Sequence, residues 1–92
     1  MTIVFTAGAR ADLDNILAYT KRYHPRQLSK LEERIKNVIA RVERRPRSAT
    51  AVTQRSEVRV VLLIRYPFKI FFREIPGGVE ILHIYHTARD LP

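Results

Sequence analysis

The side chains able to move protons or hold phosphate gather in the C-terminal part of the chain. His83, Tyr85 and His86 lie close together, and Arg59, Arg65, Lys69, Arg73 and Arg89 flank them in sequence. Imidazole changes charge near neutral pH, and a guanidinium fork can grip two phosphate oxygens at once. Arg59, Arg65 and Arg73 could therefore clamp a phosphate, His83, Tyr85 or His86 could supply acid-base or stacking groups, and Arg89 could assist. Each also has a plain structural reading. Arg59 and Arg65 serve equally well as outward-facing strand residues, and Arg73 as one half of a surface ion pair. His83 and Tyr85 alternate with Leu82 and Ile84, so either could be a partly buried group completing a hydrogen bond. Arg44, Arg45 and Arg47 read best as a helix terminus and a solvated loop.

Composition bounds the remaining chemistry. No cysteine is present, which removes disulfides, thiolate catalysis and cysteine-ligated zinc, and makes a reducing cytoplasm the natural setting. The histidines are His24, His83 and His86, and the last two stand three apart in a strand-like segment, a spacing that points them to opposite faces. No metal site and no cofactor is expected. Seventeen Lys and Arg against nine Asp and Glu give a formal charge of +8, which attracts polyanions and acidic proteins. Nothing from Met1 to Thr20 resembles a signal peptide, and no apolar run approaches the ~20 residues that span a bilayer, so a soluble cytoplasmic protein without membrane contact is expected.

These residues need elements to hold them. The chain has 92 residues, 46% of them hydrophobic, which is enough for one core, so residues 1–92 are read as a single domain. Thr2 to Thr6 is β-branched or aromatic and reads as a strand. Thr6 can cap a helix over about Ala7 to Lys21, whose stripe is Ala9, Leu13, Ile16, Leu17 and Thr20, with Asp12 and Asp14 placed to suit the early helix dipole. The His24-Pro25 step ends that pattern and restarts it, because proline fits the first turn of a helix. Leu28, Leu31, Ile35, Val38, Ile39 and Val42 then recur at steps of three and four, and Pro46 stops the helix after Arg44 and Arg45.

After a polar stretch from Arg47 to Glu57, three strands are expected over Val58 to Tyr66, Phe68 to Ile75 and Val79 to His86. Pro67 marks one turn and Pro76-Gly77-Gly78 the next. In the first strand Val60, Leu62 and Ile64 alternate with Arg59, Val61, Leu63 and Arg65; in the second Ile70 and Phe72 alternate with Lys69, Phe71 and Arg73. One face reads as core and the other as a row of spaced cations. The order β-α-α-β-β-β gives an α+β fold, a helical hairpin packed on a mainly antiparallel sheet.

With that order in place, the sequence resembles the RelE/ParE toxin superfamily of type II toxin-antitoxin systems. The resemblance rests on Ala9-Arg10-Ala11-Asp12-Leu13-Asp14-Asn15-Ile16 with Tyr19, on Val58-Arg59-Val60 leading into Arg65-Tyr66-Pro67-Phe68-Lys69-Ile70-Phe71-Phe72, and on the closing run from Val79 to Asp90 with its His86-x-x-Arg89 ending. It spans nearly the whole chain.

The resemblance implies a growth-arresting toxin that an acidic cognate antitoxin holds neutralised until proteolysis frees it, a partner that the positive charge suits. ParE-like members poison DNA gyrase without cutting RNA, whereas RelE-like members cut messenger RNA on the ribosome. The cutting reaction needs a base for the ribose 2′-hydroxyl, cations for the transition state and an acid for the leaving oxygen. Here that would enlist Arg59, Arg65, His83, Tyr85 and His86. The stretch from Ala49 to Glu57 lacks the lysines that RelE-like nucleases place there, so the ParE-like branch is expected, with gyrase contacted through Arg59, Arg65, Lys69, Arg73, His86 and Arg89. The alternatives are a ribosome-dependent endoribonuclease and a basic module that binds only nucleic-acid phosphate. Tyr66-Pro67-Phe68 is assigned to shaping the hairpin.

Overall fold

The computed structural model describes residues 2–52 and 55–87. The elements run β1 (Thr2–Phe5), α1 (Ala7–Tyr23), α2 (Leu28–Arg44), β2 (Thr50–Val52), β3 (Arg55–Leu62), β4 (Phe68–Ile75) and β5 (Gly78–His86), with single 3-10 turns at Pro25–Gln27 and Pro46–Ser48. They form a five-stranded sheet in the order β1-β5-β4-β3-β2. β1 runs parallel to β5 and every other neighbouring pair is antiparallel. The α+β arrangement is the expected one, with an additional short strand, β2, inside the stretch read as polar loop. β3 begins earlier than read and stops at Leu62, where the chain turns.

Local chemistry fixes the helix ends. Thr6 accepts the Ala9 N–H at 3.0 Å through Oγ1, which caps α1, and the same hydroxyl donates to the Leu82 carbonyl at 2.9 Å. One side chain thus closes the helix and ties it to β5. α2 buries Leu31, Ile35, Val38, Ile39 and Val42. They pack with Val61, Leu63, Ile70, Phe72, Val79, Ile81 and Ile84 from the sheet into one core. Each such side chain contributes roughly 1.5–3 kcal/mol on removal from water.

The helices have different jobs. α2 covers the core face of the sheet, while α1 makes its principal contacts with β5. β1 is short and pairs with β5 only as far as Ile81. Beyond it, α1 takes over the edge: the Asp12 carboxylate accepts the Ile84 N–H at 3.0 Å. Backbone groups that would otherwise form an open strand edge are thereby satisfied.

The phase expected for β3 is corrected. Val61 and Leu63 are buried, whereas Leu62 and Ile64 are 59% and 63% exposed. The residues taken to share a face with the cations are the core residues. On β4 the expected phase holds, with Ile70 and Phe72 buried. β5 carries an irregularity opposite Phe71 and Phe72: Phe71 faces His83 while Phe72 faces Ile81, so Leu82 is an extra residue. That bulge keeps Ile81 and Ile84 on one face and sends His83 to the other.

The Pro76-Gly77 turn joins β4 to β5 and leaves Gly78 against β1. A Cβ at Gly78 would stand 1.8 Å from the Thr2 carbonyl oxygen, so no side chain fits while β1 is paired. Between β3 and β4 the Tyr66 N–H donates to the Leu63 carbonyl at 3.3 Å, and Arg65 takes a positive φ of 75°. That conformation suits glycine or asparagine and costs about 1–2 kcal/mol for other residues.

Candidate functional site

The residues expected to act together occupy distinct surfaces. Arg59 pairs with Phe72, which places it on the helix-covered side of the sheet, where its guanidinium donates to the Ala49 carbonyl at 2.8 Å. It braces the entry to β2. Arg73 lies on the opposite side and is bound to Glu80 at 2.7 Å. Arg65 sits exposed in the β3-β4 turn. His86 pairs with Phe68, and Arg59 with Phe72, four residues further along β4 and so roughly 13 Å away. Arg89 lies outside the described residues.

A second group does converge, on the side of the sheet away from α2. In register across the strands stand Leu62, Lys69 and Tyr85, then Val60, Phe71 and His83. Tyr85 stacks on His83 with ring centres 5.1 Å apart and meets the Phe71 ring edge-on at 5.7 Å. The Lys69 ammonium lies 5.4 Å from the centre of the Phe71 ring. This face is aromatic and aliphatic with cations at its margin, rather than a row of cations. Leu62, Ile64 and Tyr85 are its exposed apolar groups.

His83 reaches beyond the sheet. Its Nδ1 stands 3.4 Å from Asp12 Oδ2, and a Cβ on Gly8 would come within 3.0 Å of its Cε1, so the imidazole lies against the first turns of α1. It is thereby a packing partner of the helix as well as a sheet residue. The carboxylate beside it went unnoticed in the sequence, because the main partner of Asp12 is a backbone N–H that no side-chain pattern reveals.

On the other side of β5 a cleft of about 640 Å³ opens between α1, the turn into α2 and the β3-β4 hairpin. Ile16, Leu31, Phe68 and Ile84 give it apolar walls, and Tyr19, His24, Tyr66 and His86 provide polar atoms. Phe68 and His86 meet edge-on at 5.3 Å, and Tyr19 lies 4.8 Å from Tyr23. His83 and His86 thus face separate surfaces, as their spacing predicts. Among the described residues no group of three His, Asp or Glu side chains could hold a metal ion, and no helix is long and apolar enough to cross a membrane.

What this arrangement can do chemically follows from the separation. A general acid and base from His83 or Tyr85 would work on one side of the sheet, while the Arg59 guanidinium is on the other and already engaged. The outer face instead has the character of a protein-contact surface, apolar and aromatic at its centre with charge at the margin.

Comparison with known proteins agrees with this geometry. No curated protein matches the chain. Among solved structures, a chain of the chromosomal ParDE toxin-antitoxin system from P. aeruginosa is similar, with a TM-score of 0.78 and 26% identity over 94% of this chain and 95% of that one. The family model for the ParE toxin of the type II toxin-antitoxin system parDE matches residues 3–91. A family match from residue 3 to residue 91 and a fold shared over almost the whole length leave one assignment: the chain belongs to the ParE toxin family of type II toxin-antitoxin systems.

Proposed function

We propose that this protein is a single-domain toxin that inhibits DNA gyrase, is held inactive by an acidic cognate antitoxin, and acts in the cytoplasm. The observation that carries the reading is the outer sheet face, where Leu62 and Tyr85, with Ile64 at the adjoining turn, are exposed beside Lys69, Arg65 and Arg73. An exposed apolar and aromatic patch with cations around it suits a protein target better than a phosphodiester in flight. The engagement of Arg59 with Ala49, on the far side from His83 and Tyr85, favours inhibition by binding over RNA cleavage. Arg65, Lys69 and Arg73 are the target-contact candidates on this face, while His86 lines the cleft on the other side, Arg59 braces the sheet and Arg89 lies beyond the described residues. The positive charge of +8 complements an acidic antitoxin.

The test is direct. Purified protein added to gyrase and relaxed plasmid blocks supercoiling or traps cleaved DNA, and the protein encoded beside it reverses the effect. Unimpaired supercoiling together with new cuts in ribosome-bound transcripts assigns the chain to the nuclease branch instead.

A further inference from the structure

One side of α2, away from the outer sheet face, carries a regular row of cations. Lys30, Arg34, Asn37, Arg41 and Arg44 follow one another at steps of four, three, four and three, which stacks them in a single stripe beside the buried one. From residue 30 to residue 44 the stripe is about 21 Å long at 1.5 Å per residue. Glu32 and Glu43 fall on the far side of the helix, and Glu33 only borders the stripe near its start. Every member is exposed except Arg34, which is half-buried.

Two further observations separate these cations from ordinary surface charge. Arg47 and Arg73 have acidic partners in Glu74 and Glu80, whereas among the described residues no ion pair engages Lys30, Arg34, Arg41 or Arg44. At its end the stripe opens into a cleft of about 660 Å³ lined by Arg41, Arg44 and Arg45 over a floor of Val42 and Val61. Guanidinium groups converging on a space of that size can grip phosphate oxygens in pairs. A straight, rigid row of cations without an aromatic ring matches the backbone of a duplex, since single strands are held by stacking on aromatic side chains.

We infer that the α2 stripe is a second binding surface, which takes the phosphate backbone of duplex DNA without reading its sequence. It is independent of the outer sheet face and holds whether or not gyrase is the target.

The experiment measures fluorescence anisotropy of a fluorescein-labelled DNA duplex of about 20 base pairs, titrated with the full chain between about 50 and 200 mM salt. The wild type binds with a steep salt dependence. Arg34→Gln/Arg41→Gln/Arg44→Gln lowers the slope of log K against log salt by about three and the affinity at least about tenfold at the lower salt. Arg41→Gln/Arg44→Gln, which spares the half-buried Arg34, lowers the slope by about two. A control that removes the same charge from α1, Arg10→Gln/Lys21→Gln/Arg22→Gln, retains most of the affinity. A single strand of equal length binds more weakly than the duplex. Equal losses in stripe and control variants, tighter binding of the single strand, or no binding by the wild type overturns the inference. Displacement of the duplex by polyglutamate at equal charge concentration also overturns it, and marks the stripe as a surface for an acidic protein.

Discussion

The Asp12 carboxylate on α1 accepts the backbone N–H of Ile84 on β5 at 3.0 Å, across 72 residues of sequence. It is the point at which a helix stands in for a missing strand, and it fixes His83 in the same move.

Removing that acceptor leaves a partly buried N–H with no partner. Asp12→Ala is expected to lose about 1–3 kcal/mol of unfolding free energy in urea denaturation. Asp12→Asn loses less, because the amide oxygen can still accept the bond. Equal stability of Asp12→Ala and wild type would show that the edge of β5 is held by packing alone.

Gly78→Ala forces a methyl group onto the Thr2 carbonyl. We expect β1 to detach, with the Thr2 and Thr6 amides, which donate to Gly77 and Ile81, exchanging their hydrogens far faster than in the wild type, and a loss of about 2 kcal/mol or more. Unchanged exchange at β1 would place this strand elsewhere in solution.

At Arg65 the strained φ makes the opposite prediction. Arg65→Gly or Arg65→Asn gains up to about 1 kcal/mol, and Arg65→Val loses at least as much. Thermal melting of the three variants separates this turn strain from any role of the guanidinium in target contact.

Binding and catalysis respond differently to the histidines. If the protein acts by occupying its target through the outer face, His86→Gln in the opposite cleft leaves growth arrest on induction within a few-fold of wild type, whereas loss of a general acid or base costs a nuclease about 100-fold or more. Growth rate at graded levels of induction decides between them.

The outer face offers the complementary test. Leu62 is 59% exposed, so Leu62→Asp should change stability by less than about 0.5 kcal/mol while sharply reducing growth arrest on induction. A variant that stays fully toxic would move the contact surface away from this face.

Much of this organisation is legible in the residues, and what is not has physical causes. The α2 stripe and the Thr6 cap follow from helical spacing and local hydrogen bonding, and both stand where they were read. The alternation in β4 is legible because Lys69 and Arg73 mark its wet side. β3 has no such marker: Val60 to Ile64 is aliphatic on both sides, so the pattern has a period but no phase, and Arg59 points toward the core face, where Ala49 offers it a carbonyl. The bulge at Leu82 shifts everything after it by one residue, which alternation cannot anticipate. β2 is three residues long and polar at its start, below what periodicity can detect. For the site, the opposite orientation of His83 and His86 was readable from their spacing, but the separation of Arg59 from Arg73 depends on register between strands.

The parallel pairing of β1 with β5 also bears on how the molecule is made. β1 leaves the ribosome well before its partner and has no neighbour to lie against until residues 78–81 have been synthesised. The Thr6 hydroxyl and the Asp12 carboxylate must likewise await Leu82 and Ile84. A nascent chain truncated before that point keeps β1 unmoored, so the sheet cannot close until β5 has been synthesised.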